Sequence, residues 1–486
     1  MMRLLRAIVD RPWKILLTSF LLALSAYLTL LAIHVVPAIS HAKSYLNAIN
    51  SGAQGDEIFS LQQSLNRDMD NILGDLHVPI IGQALSTFDL NFEPIKGELK
   101  ALITAGPALS GISGAKKYLI AFQNSAEARG TGGILGAFAI VEFDHGKLKV
   151  LQTGSNATLK SLEELPIPMP EEYKKLYRSD PAIWQNSNLS PHFPYGAQIW
   201  MELWRLQSGQ KLDGVIAIDP MALSHILNST GPIELASGEK ITADNVVYKT
   251  LSEAYQRYAH DNNARKQYLV DIMNATFTKI TTSDFSKMAM ARAIRNGIIE
   301  NRILIYSTDR VAEKALITTK LAGYMETTQN NEFRVVIENV DASKLDYYLD
   351  KTVSIDSKAC SPTPVTQMSV TVKNTLKDGS NLPAYVLTRA DKTKPVAMIT
   401  GQHRFLVFIY GPTKATLRSA KRSSSFAAAG RLGTEREREL LVADVDLSPG
   451  QSERITATFT GGVGSITYVD QPLVRKTKVS INDGCR

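Results

Sequence analysis

The run Gln123-Asn124-Ser125-Ala126-Glu127-Ala128-Arg129-Gly130-Thr131-Gly132-Gly133 places an amide, a carboxylate and a guanidinium directly before three glycines. Arginine offers a planar fork of donors that matches a phosphate. Gly130, Gly132 and Gly133 allow backbone N–H groups to turn inward as an anion-binding nest, next to Asn124. Glu127 is suited to holding a divalent cation or moving a proton. The plainer alternative is a strand connection in which the glycines serve the turn while Glu127 and Arg129 pair with each other. A second group is Leu212-Asp213-Gly214-Val215-Ile216-Ala217-Ile218-Asp219-Pro220, where two carboxylates bracket a strand. Charged residues at strand ends line the crevice of an open α/β sheet, and Asp219 also suits a helix cap before Pro220. Arg265-Lys266 offers phosphate contacts or a solvated helix face.

Other chemistries have no support. The chain lacks a Gly-x-Ser-x-Gly elbow, a Walker loop, a His-Glu-x-x-His pair and a Cys-x-x-Cys pair, and its 8 histidines are scattered. Hydrolase, kinase and zinc-protease readings therefore have no support in the sequence.

The elements that must position these residues follow from periodicity. Tyr118 to Phe122, Ile134 to Phe143, Leu148 to Val150, Gly214 to Ile218 and Arg302 to Tyr306 read as strands. A helix follows from Pro220 through Leu227, and helical pattern dominates 243–299. Strands alternating with helices predict an α/β layer domain over 111–350. After Cys360, short alternating segments predict an all-β sandwich over 351–486: Met368 to Val372, Ala384 to Thr388, Arg404 to Ile409, Leu440 to Val445, Arg454 to Phe459 and Lys476 to Ile481. The basic stretch Arg418 to Arg438 reads as a solvated loop, and its one aromatic, Phe426, is too few for stacking on bases. Before the α/β domain, residues 37–110 read as a helical stalk. Ile58, Leu61, Leu65, Ile72 and Leu76 form one apolar stripe there, with Asp56 as N-cap, and a second helix covers Pro94 to Ala108.

From Ile15 to Val36 the chain carries no Asp, Glu, Lys or Arg. About 20 such residues span a bilayer. Arg3, Arg6, Arg11 and Lys14 precede the run, so 1–14 should stay cytoplasmic and the bulk of the chain extracytoplasmic. The alternative is a cleaved signal peptide, whose apolar run is shorter, at about 7–15 residues. The composition is otherwise ordinary: 486 residues, 44% hydrophobic, 21% charged, and a net charge of +7. That surplus is too small to imply a nucleic-acid partner. Two cysteines exclude a disulfide-rich scaffold. Cys360 and Cys485 bracket the last domain, in a compartment that permits oxidation, and are expected to pair.

The order of elements resembles a bacterial family known as domain of unknown function 4012. The resemblance rests on the Asn124 to Gly133 segment and the Asp213 to Pro220 strand. Phe193-Pro194 with Ala197, Thr230-Gly231-Pro232, Asp244-Asn245, Arg265-Lys266 and Lys344-Leu345-Asp346-Tyr347 add to it. In layout alone the chain also resembles the LytR–CpsA–Psr proteins, which transfer glycopolymers from polyprenyl-pyrophosphate carriers to the cell wall. That resemblance implies that Arg129 clamps a pyrophosphate and that Glu127, with Asp213 or Asp219, holds Mg²⁺. The clustered arginines of that family are not visible here as a linear motif. Two functions are therefore carried forward: a membrane-anchored envelope transferase, and a non-catalytic envelope protein that binds or scaffolds.

Overall fold

The computed structural model describes residues 37–75 and 93–484, apart from 39, 42, 46, 49–50, 52–55, 113, 361–362, 378, 380, 388–399 and 425–428. The expected anchor 15–36 and Cys485 lie outside these residues. Among the described residues no helix is long and apolar enough to cross a membrane.

The chain divides into two compact units. One runs to Ala115 and includes Phe143–Lys147. It contains helix α1 (Asp56–Asp75) and helix α2 (Lys96–Leu109), at the two apolar helical patterns of the sequence. Ile58 of the apolar stripe is buried against Tyr45, Ala48 and Ile112.

The other unit holds Lys116–Glu142 and Leu148–Arg486. Its first sheet has the order β3-β2-β1-β4-β7, built from β1 (Lys116–Arg129), β2 (Gly132–Asp144), β3 (Lys147–Ser155), β4 (Gly214–Ile218) and β7 (Ile303–Ser307). A small hairpin, β5 (Ile233–Glu234) with β6 (Lys240–Ile241), stands apart from it. Strands β1 and β4 are parallel, with Tyr118 opposite Gly214, and β7 runs antiparallel to β4. Most of β1 is buried without alternation, the pattern of a strand covered on both faces. Helix α3 (Glu171–Tyr177), α4 (Phe193–Ser208), α5 (Pro220–Thr230), α6 (Asn262–Thr282), α7 (Lys287–Ile299) and α8 (Arg310–Leu316) fill the connections. Trp200 and Trp204 of α4 join Trp184 in the core above the sheet.

The C-terminal part is β-rich. One sheet has the order β12-β15-β10-β9-β17, the other β13-β14-β11-β8-β16. Their strands are β8 (Glu332–Asn339), β9 (Leu349–Ala359), β10 (Val365–Asn374), β11 (His403–Tyr410), β12 (Thr416–Arg422), β13 (Arg431–Glu435), β14 (Arg438–Leu447), β15 (Ser452–Thr460), β16 (Thr467–Asp470) and β17 (Lys478–Asn482). The two sheets share one apolar core. Alternate residues of β10 and β15 point into it, the period-2 pattern expected of half-covered strands.

Three expectations are corrected here. The expected domain boundary at 350 does not separate the sheets, because β8 is an inner strand of the second C-terminal sheet, paired with β11. The segment at Ala384 is a short helix, α9 (Ala384–Leu387), started by Pro383, whose carbonyl accepts from Val386 N at 2.9 Å. Arg418 to Arg438 is not a solvated loop. It holds the end of β12 and all of β13, and the Arg436-Glu437 turn, with both residues at positive φ, closes the β13–β14 hairpin.

Candidate functional site

A cavity of about 910 Å³ opens between the C-terminal half of β1, the α3 region, α6 and the outer face of the β8 sheet. Of the residues singled out by sequence, Asn124, Glu127, Arg129, Arg265 and Lys266 line it. Asp213, Asp219, Gly130, Gly132 and Gly133 do not.

Glu127 and Arg129 do pair, and they are also part of the wall. Glu127 is 3% exposed. Its Oε1 accepts from Arg129 Nη2 at 3.0 Å and its Oε2 is bound by Lys344 Nζ. Burial by itself would raise its pKa, but the facing Lys344 and Arg129 outweigh it and hold the carboxyl below 4.5. The Lys344 ammonium is kept charged the same way, its burial opposed by Glu127. Arg129 spends every donor on the protein. Nε serves Gln185 O and Asn186 Oδ1, Nη1 serves Ala128 O and Asn339 O, and Nη2 serves Glu127 and Asn186. Its fork is therefore a brace between β1, the 185–186 loop and β8, not an open phosphate clamp.

The open cations are elsewhere on the wall. Lys175 and Arg178 at the end of α3, Lys266 on α6 and Arg431 on β13 make no side-chain hydrogen bond and no ion pair among the described residues. Arg265 faces no carboxylate either, and it is not on a solvated face. It is 6% exposed, its guanidinium carbon 4.5 Å from the Tyr255 ring centre and 5.0 Å from that of Tyr385. Its Nη2 contacts Asn262 Oδ1 and Tyr385 OH, leaving Nε and Nη1 unused among the described residues. Seven basic side chains thus line the cavity, Arg129, Lys175, Arg178, Arg265, Lys266, Lys344 and Arg431, against four acidic ones, Glu127, Asp180, Glu338 and Asp341. Desolvation and Arg265 together push the Lys266 pKa down, the response of an ammonium in a crowded cationic wall.

A smaller apolar cavity adjoins this one through the shared residues Asn124, Gly136 and Leu269. Phe122, Leu223, Ile272 and Met273 line it, together with Thr250 and Leu251 of a π-helical turn, Lys249–Glu253.

The remaining expectations resolve differently. Asp219 caps α5, accepting from Ala222 N at 2.9 Å, and pairs with Arg302. Asp213 takes Lys116 Nζ at 3.1 Å and Lys117 N at 2.9 Å, tying the start of β1 to β4. The glycines allow close packing and do not line the cavity. A Cβ on Gly130 would lie 2.0 Å from Leu189 O, and one on Gly133 would lie 2.3 Å from Asn124 O. Residues expected to hold Mg²⁺ do not fit that role. Both Glu127 oxygens face cations, the two aspartates are committed elsewhere, and no metal-binding group of three His, Cys, Asp or Glu occurs among the described residues.

Sequence reasoning missed Lys175, Arg178, Tyr385, Glu338 and Arg431. Lys344 stood in a recognised motif without a role, although its spacing from Glu127 hid the pairing. Fold and site together define a mixed α/β protein, with a β-rich C-terminal part, in which Asn124, Glu127 and Arg129 of β1 form part of the wall of a cation-lined cavity. Residues 113–255 match the model of the family described as "Protein of unknown function (DUF4012)". No curated protein sequence matches the chain. Among solved structures, the chain is similar to one titled the transcriptional regulator yvhJ from Bacillus subtilis, at 13% identity, over 44% of this chain and 78% of that one, with a TM-score of 0.22.

Proposed function

We propose that this chain is a membrane-anchored cell-envelope protein whose cavity receives the pyrophosphate of a polyprenyl-linked glycopolymer. The observation that carries the reading is the set of five cations, Lys175, Arg178, Arg265, Lys266 and Arg431, that line one cavity without a carboxylate partner among the described residues. Unpaired cations sharing one wall repel one another, and a polyanion relieves that repulsion. The adjoining apolar cavity suits the first part of a lipid tail. The stretch Ile15–Val36 supplies the anchor, preceded by Arg3, Arg6, Arg11 and Lys14.

Transfer of the glycopolymer would need charge neutralisation and positioning more than a strong nucleophile, and the cation set is of that kind. A second reading, binding without transfer, is favoured by one observation: Glu127 and Arg129 are fully engaged with the protein. The test is calorimetric titration of farnesyl pyrophosphate into the full-length protein in detergent. Each cation–phosphate contact is worth about 1.5–3 kcal/mol, so replacing Arg265 and Lys266 together by Ala should weaken binding by about 100-fold or more. Absence of wild-type binding, or equal binding by the double variant, refutes the reading. Release of polyprenyl phosphate from a glycopolymer donor then separates the transferase from the binder.

A further inference from the structure

Glu338 sits on β8, one residue before the Asn339 carbonyl that braces Arg129. It lines the cavity and is 4% exposed. Its Oε1 has no hydrogen-bond partner. A buried carboxyl oxygen left unpaired is destabilising, so a group with this geometry wants a partner that the protein does not supply. We propose that Glu338 is a ligand-contacting residue of this cavity, its carboxyl donating a hydrogen bond to an oxygen of the bound phosphoryl group. This assignment rests on the anionic-ligand reading above and adds a neutral donor to its cationic wall.

The surroundings of Glu338 favour the acid form. Burial raises its pKa well above 4.5, opposed by Arg129 of β1 and Arg431 of β13. Glu435 of β13 and Asp180, just after α3, push it further up. From the remaining packed elements, Tyr173 and Tyr177 of α3 and Tyr410 of β11 face the same carboxyl, and all three phenols have raised pKa values and stay neutral. As a carboxylic acid, Glu338 donates to a phosphate oxygen. As a carboxylate it would repel one. Binding should therefore weaken as the group ionises.

Inorganic pyrophosphate is the probe, titrated by calorimetry into the full-length protein in detergent, without divalent cations, at about pH 6 and about pH 9. Pyrophosphate itself titrates across that window, so Glu338→Gln, with a permanent amide donor, is the reference. Wild-type affinity should fall by about tenfold more than that of the variant between the two pH values. An equal fall in both proteins overturns the role of Glu338 while leaving pyrophosphate binding intact. No binding by the wild type at either pH overturns both readings. Infrared difference spectra supply a second readout that does not depend on the variant binding ligand. The protonated-carboxyl band identified by its loss in E338Q should shift when pyrophosphate is added to the wild type, and an unshifted band overturns the contact.

Discussion

Glu127 shows how one buried carboxylate can organise a site without being its ligand contact. It stands between Lys344 and Arg129, whose side chains are 5% and 6% exposed. Removing one member of such a group leaves uncompensated buried charge, which costs about 3–5 kcal/mol. Glu127→Gln should therefore lower the unfolding free energy by that amount near neutral pH, read from urea denaturation. The pH dependence has a definite sign. The native carboxyl lies below 4.5, so its contribution is complete above that value and is lost as pH falls through the lowered native value. The gap between wild type and variant should close on acidification, and a gap that widens in acid would contradict the pairing. The Glu127–Arg129 contact was legible in the sequence because the two are neighbours on one strand face. Lys344 was not, since its reach to Glu127 depends on β8 returning the chain to β1 across 217 positions. Of the five open cations, Arg265 and Lys266 were legible as a pair, whereas Lys175, Arg178 and Arg431 were hidden, because they come from the α3 end and β13 and only tertiary packing brings them to α6.

At the scale of elements, buried strands were read more reliably than edges. The central strands announce themselves through continuous apolar runs, and α5 through Asp219 and Pro220, its cap and first residue. Strand β13 carries no such signal. Arg431, Gly433 and Glu435 alternate with Leu432 and Thr434 on an edge strand, and only pairing with β14 shows it as sheet. Strand β17 is also an edge, exposed at every residue, and runs parallel to β9 with Asn482 opposite Asp356. Cys360 is not a free thiol, while Cys485 lies outside the described residues. A Cys360–Cys485 bridge would then hold an otherwise solvent-facing strand in place. Closing a loop of this length is worth about 4–5 kcal/mol in the chain-entropy model. Peptide mass mapping without reductant should show the two cysteines joined, and Cys360→Ser should lower the melting temperature. Two alkylatable thiols in the unreduced protein would rule the bridge out.

For the molecule as a whole, the decisive feature is that the β8 sheet serves two cores. Val336, Phe408, Tyr410, Leu440 and Val442 pack with the tryptophans of the α/β layer. The alternate residues Phe333, Val335, Ile337, Val407 and Leu441 pack into the sandwich. A sequence reading tuned to half-covered strands takes these as ordinary sandwich strands and places a boundary at 350. The near-continuous burial of β11 from Val407 to Tyr410 is the signal that both faces are covered. The arrangement also explains the cavity, since Glu338 and Arg431 reach it only because this sheet faces the α/β layer. A fragment of residues 351–486 would lack β8, the strand between β11 and β16, and would expose the Phe408 face to water. Burying side chains of that kind contributes about 1.5–3 kcal/mol each, so losing both partners removes most of what holds the sheet. The fragment should give a collapsed proton NMR spectrum without dispersed methyl signals. The intact 116–486 region should unfold in one calorimetric transition, with calorimetric and van't Hoff enthalpies equal. A well-dispersed spectrum from 351–486, or two separated transitions in the longer chain, would mean that the sandwich stands on its own core and that the cavity wall is a docked surface instead of a shared sheet.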